Sequence, residues 1–302
     1  MYQNVISDRL NYIKNREQTK LNEKESFIAK TEFPVLDKIL NGGFQAGLYV
    51  VGAMSSTGKT TFIHQIASNI AKQKFKVLYI SLEQDDKVMS SKLYSRTSFY
   101  QSIEKNKNCD EALSAIEMRY PKKLNSKQFK TYQEAVKASS EIEENLITID
   151  TSMMQNDFTV DKIREICKYA AEKNNNISPI IFVDYLQLLQ VPNNANVTTD
   201  KQKTDYNIFK LRALANEFNT NITVISSINR ASYKDVCSLS AFKESGIIEF
   251  SADVAITLTN EEPTADSADR DLIETFLTEK DTINEDKSLV WLLRRKGVGA
   301  ER

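Results

Sequence analysis

The sequence predicts an α/β fold in which a mostly parallel, twisted sheet carries helices on both faces. Short β-prone apolar runs alternate along the chain with segments whose apolar residues recur at helical spacing. Strands that are separated by helices need crossover connections, and these give a parallel sheet that is covered on both faces. The chain has 302 residues, of which 41% are apolar, so it can form one large domain or two small ones.

Eight β-prone runs make up the predicted sheet. In chain order they are residues 48–52, 77–82, 146–149, 180–186, 222–228, 254–258, 272–277 and 289–293. Helices are predicted over residues 60–73 and around residues 208–218, because apolar residues recur there every three or four positions. Residues 84–145 are predicted to be a mostly helical, polar insertion within one crossover.

The first 30 residues differ from the rest and predict a short N-terminal helical arm or linker. Val5, Ile6, Leu10 and Ile13 recur at helical spacing, and a polar segment of mixed charge follows them. An arm of this length cannot bury its apolar stripe alone, so the stripe docks on the body of the protein or on a neighbouring subunit. We therefore expect an arm in residues 1–30 and a single domain in residues 31–302.

Composition and charge exclude several classes of protein. Lys and Arg number 40 and Asp and Glu number 41, which excludes a polybasic mode of nucleic-acid binding but allows a local basic channel. No segment approaches the ~20 apolar residues of a membrane span, and the polar N-terminus is unlike a signal peptide. Three scattered cysteines and a single histidine, His64, fit neither a disulfide framework nor a zinc site. We expect a soluble, cytoplasmic protein that does not bind membranes.

The strongest motif is a phosphate-binding loop between the first predicted strand and the helix after it. It has the P-loop spacing, with alanine in place of the first glycine. Backbone N–H groups of such a loop wrap a phosphate, and the following helix points its positive end at the same anion. Lys59 would reach the β- and γ-phosphates, and the Thr60 hydroxyl would ligate Mg²⁺. The expected nucleotide-binding residues are Ala53, Met54, Ser55, Ser56, Thr57, Gly58, Lys59, Thr60 and Thr61.

Acidic residues at two further strand ends are expected to complete the site, because ligands of open parallel sheets bind at the carboxyl ends of strands. Asp184 closes an apolar run and would hold Mg²⁺ through its water shell. Glu83 follows another strand and could polarise the attacking water. The alternative for Asp184 is an ordinary strand that ends in aspartate, and the P-loop upstream argues against it. Glu83 taken alone is better explained as a solvated strand terminus, so the evidence for its role is collective.

These residues, in this order, resemble the motor domain of the DnaB-type replicative DNA helicases, which belong to the RecA-like ATPases. The alanine-led loop is that family's form, and Ser81-Leu82-Glu83 is similar to the motif with the family's catalytic glutamate. The pentad from Asp184 to Leu188, Asp-Tyr-Leu-Gln-Leu, is the most distinctive match. Similar motifs extend over roughly residues 31–299.

The resemblance implies a RecA-like P-loop ATPase core that uses ATP and Mg²⁺, with Lys59 and Glu83 as catalytic residues. It also implies a homo-oligomer, a hexameric ring, in which the closing segment supplies positive charge to the neighbouring subunit's site. The order of its three cations differs from the family's, and Arg295 and Lys296 are the best candidates for this role, with Arg294 next.

Single-stranded DNA is the partner that the resemblance implies, together with a primase or a helicase loader. In the family, loops that follow two of the strands grip the DNA backbone, and residues 191–206 and 230–243 match these loops. A solvated surface loop explains each segment as well. The expected DNA-binding residues are Lys201, Lys203, Arg230, Lys234 and Lys243.

The sequence departs from the family's pattern at two places. Ser227 stands where the family usually has a glutamine that couples the γ-phosphate to the DNA loops. Serine has a shorter reach, so this coupling is expected to be weakened or rerouted. The family's N-terminal collar domain, which binds primase, is expected to be absent, with the arm before Thr31 in the place of the linker helix.

The function that follows is that of an ATP-dependent DNA helicase or translocase, which moves on single-stranded DNA during DNA replication. An alternative is a DNA-associated regulatory ATPase that uses ATP as an assembly switch without processive unwinding. A third class, a non-DNA ATPase of the circadian or recombination type, fits the pentad after Asp184 less well.

Overall fold

The computed structural model describes residues 27–53, 57–228, 246–259, 274–276 and 290–295. The strands in these ranges are β1 (Gly47–Ala53), β2 (Val77–Ser81), β3 (Leu146–Asp150), β4 (Ile180–Asp184), β5 (Asn221–Ser227), β6 (Val254–Thr259), β7 (Glu274–Phe276) and β8 (Val290–Arg295). The helices are α1 (Pro34–Ile39), α2 (Lys59–Lys72), α3 (Asp86–Asn106), α4 (Ala115–Arg119), α5 (Ser126–Glu143), α6 (Val160–Lys173), α7 (Asp200–Phe218) and α8 (Gly246–Ser251). The eight predicted strands are confirmed.

One sheet holds all of these strands, in the order β3-β2-β4-β5-β1-β6-β8-β7. The six strands from β3 to β6 run parallel to their neighbours. At the other side, β8 runs antiparallel to both β6 and β7. The prediction of a mostly parallel sheet is therefore confirmed.

Helices cover both faces of the sheet, as predicted, because successive side chains of the central strands point to opposite faces. On β1, Tyr49 and Val51 pack in the buried cluster that α2 covers. Leu48 and Val50 pack in the other cluster, which α6 and α7 cover. Every residue of β1 is buried, the pattern of a strand inside a parallel sheet.

β4 is shorter than the sequence predicts, because the chain leaves the sheet at Asp184. Pairing with β5 ends where Val183 lies opposite Val224, and Leu186–Leu188 then forms a 3₁₀ turn. Leu186 is nevertheless fully buried. The apolar run therefore reflects burial at this point and not strand conformation, and Asp184 is placed at the very end of its strand.

Residues 84–145 form the helical insertion that the sequence predicts. Asp85, Ser114 and Asn125 begin α3, α4 and α5 as N-caps, each accepting a hydrogen bond from a backbone N–H group in the first turn. The insertion begins directly after Glu83, and the Asp86 N–H in the first turn of α3 donates a hydrogen bond to Asp150 Oδ2 at the end of β3, at 3.1 Å.

The predicted arm lies mostly outside the described residues, which begin at residue 27. Ala29 is fully buried and exchanges two backbone hydrogen bonds with Phe44, at 2.9 and 2.8 Å. The Phe27 ring lies 6.1 Å from that of Phe75, between centroids. The boundary at residue 30 stays a prediction. Within the described ranges, no helix has the length and apolar character needed to cross a membrane.

Phe182→Ala is expected to lower the free energy of unfolding by ~3–5 kcal/mol, because it leaves a cavity in the core. Phe182 is fully buried, and its ring centroid lies 6.1 Å from that of Tyr79 and 6.2 Å from that of Phe44. Tyr169→Ala, at a side chain that is 63% exposed, is the control and should change stability by less than ~0.5 kcal/mol. Urea denaturation measures both, and equal losses would contradict this packing.

Candidate nucleotide-binding site

The residues that the sequence predicts at strand ends meet at one edge of the sheet. β2 and β4 are parallel neighbours, and Ser81 lies opposite Asp184 in their register. The carboxylates of Asp184 and Glu83 both act on the ammonium group of Lys59. The structure therefore brings together the predicted phosphate-binding lysine and both predicted acids.

A helix N-terminus faces this edge. β1 ends at Ala53 and α2 begins at Lys59. Gly58 is the N-cap of α2 with a φ of 88°, a left-handed conformation that glycine adopts without steric cost. The first turn of α2 contains no acidic residue of its own, so the helix itself adds no negative charge at the positive end of its dipole. Met54, Ser55 and Ser56 of the predicted loop lie outside the described residues.

The Lys59 side chain turns back onto the strand that precedes it. Its Nζ donates a hydrogen bond to the Ala53 carbonyl oxygen at 2.9 Å. Burial lowers the pKa of Lys59, and the carboxylates of Asp184 and Glu83 act in the opposite direction. The lysine thus lies between the P-loop strand and the two acids. Of its neighbours in the loop, Thr57 is half-buried and Thr61 is exposed.

Asp184 is a buried carboxylate that lies beside two hydroxyl groups. Its exposed fraction is 2%. The Tyr79 hydroxyl donates a hydrogen bond to Asp184 Oδ2 at 3.1 Å, and the Thr60 hydroxyl lies close to the carboxylate. Burial raises the pKa of Asp184, whereas the two hydroxyl groups lower it and the nearby Glu83 raises it further. Burial also raises the pKa of Tyr79 well above its usual range, so the phenol remains a donor at neutral pH.

The paired oxygen atoms of Thr60 and Asp184 fit the predicted Mg²⁺ ion, which prefers hard oxygen ligands. Among the residues that the structure describes, no three His, Cys, Asp or Glu side chains converge on a possible metal position. Magnesium is commonly held by one or two protein oxygens plus waters and substrate phosphates. The donor set therefore suits an ion that arrives with a phosphorylated substrate.

Glu83 lies one strand away from Asp184, in the turn after β2, and its side chain is exposed. Two hydrogen bonds hold this turn. The Leu82 N–H donates to the Asp184 carbonyl at 2.7 Å, and the Ser81 hydroxyl donates to the Gln84 carbonyl at 2.6 Å. An exposed carboxylate beside a buried one can contact water while remaining within electrostatic range of a bound phosphate.

Lys92 on α3 is a further cation at the site, and the sequence motifs did not indicate it. Burial lowers the pKa of Lys92, while the carboxylates of Asp184 and Glu83 raise it. The available signal was the N-cap at Asp85, because a helix that begins there carries its second turn past the strand ends. A lysine in that turn gains significance only once the sheet register is known.

The structure describes only some of the residues that are predicted to bind DNA or to act on the neighbouring subunit. Lys201 is exposed in the first turn of α7. Lys203 is half-buried, and its Nζ donates a hydrogen bond to the Gln187 carbonyl at 3.0 Å. The backbone of Arg295 pairs with that of Val254 at the end of β8. Arg230, Lys234, Lys243 and Lys296 lie outside the described residues. Their roles stay predictions.

Asp184→Asn is expected to stabilise the fold at neutral pH when Mg²⁺ is chelated. Burial raises the pKa of Asp184 in the folded protein. The wild-type fold therefore loses stability as the pH rises from the pKa of this carboxyl in the unfolded chain, about 4, through its higher pKa in the folded protein. Asparagine avoids the buried charge and keeps an oxygen that can accept from Tyr79. Thermal unfolding midpoints in EDTA, measured between about pH 4 and pH 8, should show a gain that grows with pH.

Asp150→Asn is the matched control, and its expected change in stability at neutral pH has the opposite sign. Hydrogen bonds from the Ser152 hydroxyl and from backbone N–H groups lower the pKa of Asp150. Its ionised form therefore contributes stability that is present above the unfolded pKa and is lost as the pH falls through the folded pKa. This variant should lose stability at neutral pH. A similar loss in Asp184→Asn would contradict the buried charge at Asp184.

Solved structures share this architecture. One solved ATPase domain aligns with a TM-score of 0.62 and 21% identity, over 90% of this chain and 89% of that chain. A structure of a DnaB-like replicative helicase and its interactions with primase aligns with a TM-score of 0.64 and 20% identity, over 93% of this chain and 62% of that chain. At these identities the likeness shows the fold alone, and the predicted RecA-like α/β fold is confirmed.

Curated relatives extend the comparison to sequence. The replicative DNA helicase DnaB of Treponema pallidum (strain Nichols) is 29% identical over 260 residues, which cover 85% of this chain and 53% of that protein. The chain spans about half the length of the replicative helicases that it matches. The family model for the DnaB-like helicase C-terminal domain matches residues 29–288, a range that contains the P-loop, Glu83 and Asp184. The chain therefore belongs to the family of DnaB-like helicase C-terminal domains.

Proposed function

We propose that this protein is an ATP-dependent DNA helicase or translocase of the replicative type, which hydrolyses ATP to move on single-stranded DNA. The observation that carries the proposal is the convergence of Lys59, Thr60 and Asp184 at one sheet edge, with Glu83 one strand away. The relatives named above are replicative helicases. We further propose that residues 31–302 form the ATPase domain, that the arm precedes it, and that the protein works on DNA in the cytoplasm.

In the proposed reaction the triphosphate binds over the N-terminus of α2. The backbone N–H groups there and the Lys59 ammonium would bind the β- and γ-phosphates. Thr60 and Asp184 would hold Mg²⁺, which would offset the negative charge of the phosphates. The Tyr79 hydroxyl keeps the Asp184 carboxylate oriented by its hydrogen bond.

Glu83 is proposed to orient the attacking water and to accept its proton, a role that suits an exposed carboxylate at the edge of the site. Lys92 is proposed to offset the negative charge that develops on the transferred phosphoryl group. Its electrostatic interaction with both Glu83 and Asp184 supports this role.

We propose that a neighbouring subunit of a hexameric ring completes the site with Arg295 or Lys296, since inserted positive charge accelerates phosphoryl transfer. DNA phosphates are proposed to contact Lys201, Lys203, Arg230, Lys234 and Lys243. The bond from Lys203 to a backbone carbonyl favours Lys201 as the stronger DNA ligand of the α7 pair. A primase or a helicase loader is proposed as a further partner, since one of the solved structures named above is that of a DnaB-like replicative helicase and its interactions with primase.

A direct test separates a motor from a switch. ATP turnover that single-stranded DNA stimulates, together with displacement of an annealed oligonucleotide, would support the motor. Slow ATP turnover whose rate DNA does not change would favour the alternative, a DNA-associated regulatory ATPase that uses ATP as an assembly switch.

Glu83→Gln is expected to lower kcat for ATP hydrolysis by ~10²–10⁴-fold with little change in nucleotide affinity, because Glu83 acts on the water. Lys59→Ala should weaken both binding and turnover. Glu104→Gln, an exposed carboxylate on α3, is the matched control. Steady-state ATPase assays and titration with a fluorescent ATP analogue measure these effects. Wild-type turnover in Glu83→Gln would show that the assignment is wrong.

Mixing the Lys59→Ala and Arg295→Ala proteins is expected to restore activity that neither has alone. Arg295→Ala should lower kcat by ~10³–10⁵-fold. In a mixed ring, however, the intact P-loop of an Arg295→Ala subunit can lie beside the intact Arg295 of a Lys59→Ala subunit. ATP turnover of the equimolar mixture is compared with the sum of the separate proteins. A strictly additive result would reject Arg295 as the residue supplied by the neighbour and move the same test to Lys296→Ala.

A further inference from the structure

β4 and β5 separate where the candidate site begins. Their pairing ends at Val183 and Val224, whereas β5 continues to Ser227 along β1. Beyond the last pair, β5 has no strand partner on its β4 side among the described residues. A backbone N–H group at such a fork needs another acceptor, because leaving it unpaired away from water is costly.

The side chain of Gln187 fills this fork. Its Oε1 accepts a hydrogen bond from the Ser227 N–H at 3.3 Å, and its Nε2 donates one to Ser226 Oγ at 3.0 Å. Ser226 is fully buried and Gln187 is half-buried. A primary amide offers a donor and an acceptor at once. One side chain, three residues after Asp184, therefore ties the end of β5 to the end of β4.

The same end of β5 is also tied to the P-loop strand. Ala53 lies opposite Ser227 in the register of β1 and β5. The Ala53 carbonyl accepts hydrogen bonds from the Ile228 N–H at 3.4 Å and from Lys59 Nζ at 2.9 Å. Residues 226–228 are thus held from both sides by the elements that carry the predicted phosphate and metal ligands.

The turn that contains Gln187 is bonded to α7 as well. Lys203 Nζ donates to the Gln187 carbonyl at 3.0 Å, and the buried Asn207 amide donates to the Leu189 carbonyl at 3.2 Å. The predicted DNA-binding segment 191–206 leads into α7, and the second predicted segment follows the end of β5. The first segment therefore contains Lys203, which bonds the Gln187 turn, and the second follows in sequence the serines that the Gln187 amide bonds.

We propose that Gln187 is a positioning residue that couples the nucleotide site to the two DNA-binding segments, an inference that rests on the proposed function. The serine at position 227 is too short to join the strands, and the Gln187 amide instead reaches its backbone from the turn after β4. A shift at the end of β4 is passed through this amide to the end of β5. DNA binding acts back on nucleotide binding by the same factor, because coupling between binding sites is reciprocal.

Three variants test the coupling. Gln187→Ala removes both side-chain hydrogen bonds, and Gln187→Glu keeps the shape but cannot donate to Ser226. Gln190→Ala is the matched control, because Gln190 lies in the same loop but its Oε1 accepts from the Phe158 N–H, at 3.2 Å. The Kd for a fluorescent single-stranded oligonucleotide is measured with and without a non-hydrolysable ATP analogue and Mg²⁺. Basal kcat, DNA-stimulated kcat and the thermal unfolding midpoint are measured alongside.

In the wild-type protein the ATP analogue is expected to change the Kd for DNA by at least ~5-fold, the lower end of ordinary allosteric coupling. In Gln187→Ala, the ratio of the Kd values for DNA without and with the ATP analogue should be close to one. The ratio of DNA-stimulated kcat to basal kcat should also be close to one. Basal kcat and the unfolding midpoint should stay near the wild-type values. The Kd ratio of Gln187→Glu should lie between those of the wild-type protein and Gln187→Ala. Gln190→Ala should keep the wild-type Kd ratio.

A wild-type ratio in Gln187→Ala would overturn the inference and leave the proposed function intact. Loss of basal kcat and of the unfolding midpoint together with the ratio would also overturn it, because Gln187 would then maintain the fold of the site. A third outcome concerns the wild-type protein itself. If the ATP analogue does not change its Kd for DNA, and DNA does not stimulate its kcat, both the proposed function and the inference are overturned.

Discussion

The close approach of the Thr60 hydroxyl to the buried Asp184 carboxylate joins the two halves of the site. It holds the first turn of α2 against the end of β4, so that a helix N-terminus and an acid face the same space. A buried carboxylate is unfavourable unless hydrogen bonds or a cation compensate its charge. Here the Tyr79 hydroxyl donates to it and the Thr60 hydroxyl lies beside it, and the oxygen atoms suit magnesium. The arrangement favours binding of a metal–phosphate pair over maximal stability of the fold, a common property of functional sites.

The sheet makes this contact possible. Apolar runs that are buried on both faces place β1, β2 and β4 parallel to one another in one sheet, with β5 between β4 and β1. Their carboxyl ends then share one edge, and whatever follows each strand is delivered there: the P-loop after β1, Glu83 after β2, and the Gln187 turn after β4. The early end of β4 matters in the same way, because the fork that it leaves beside β5 is what the Gln187 amide fills.

Much of this could be predicted from the sequence, because the signals are local. The spacing around Lys59 and the acids after apolar runs identify the site without any knowledge of contacts. Other features depend on long-range register and could not be predicted. Lys92 gains its role only because α3 passes the strand ends, and Tyr79 resembles any aromatic core residue until its hydroxyl meets Asp184. The end of β4 was placed too late because the buried Leu186 continues the apolar pattern beyond the strand.

The most direct measurement is a double-mutant cycle on Thr60→Val and Asp184→Asn, with the Mg²⁺-dependent part of ATP-analogue affinity as the readout. If the two side chains hold one ion together, each single variant should lose most of the magnesium effect. The double variant should then lose no more than either, with a coupling energy of at least about 0.5 kcal/mol. Strictly additive losses, or a magnesium effect that survives in both single variants, would show that Thr60 and Asp184 do not share a metal ion.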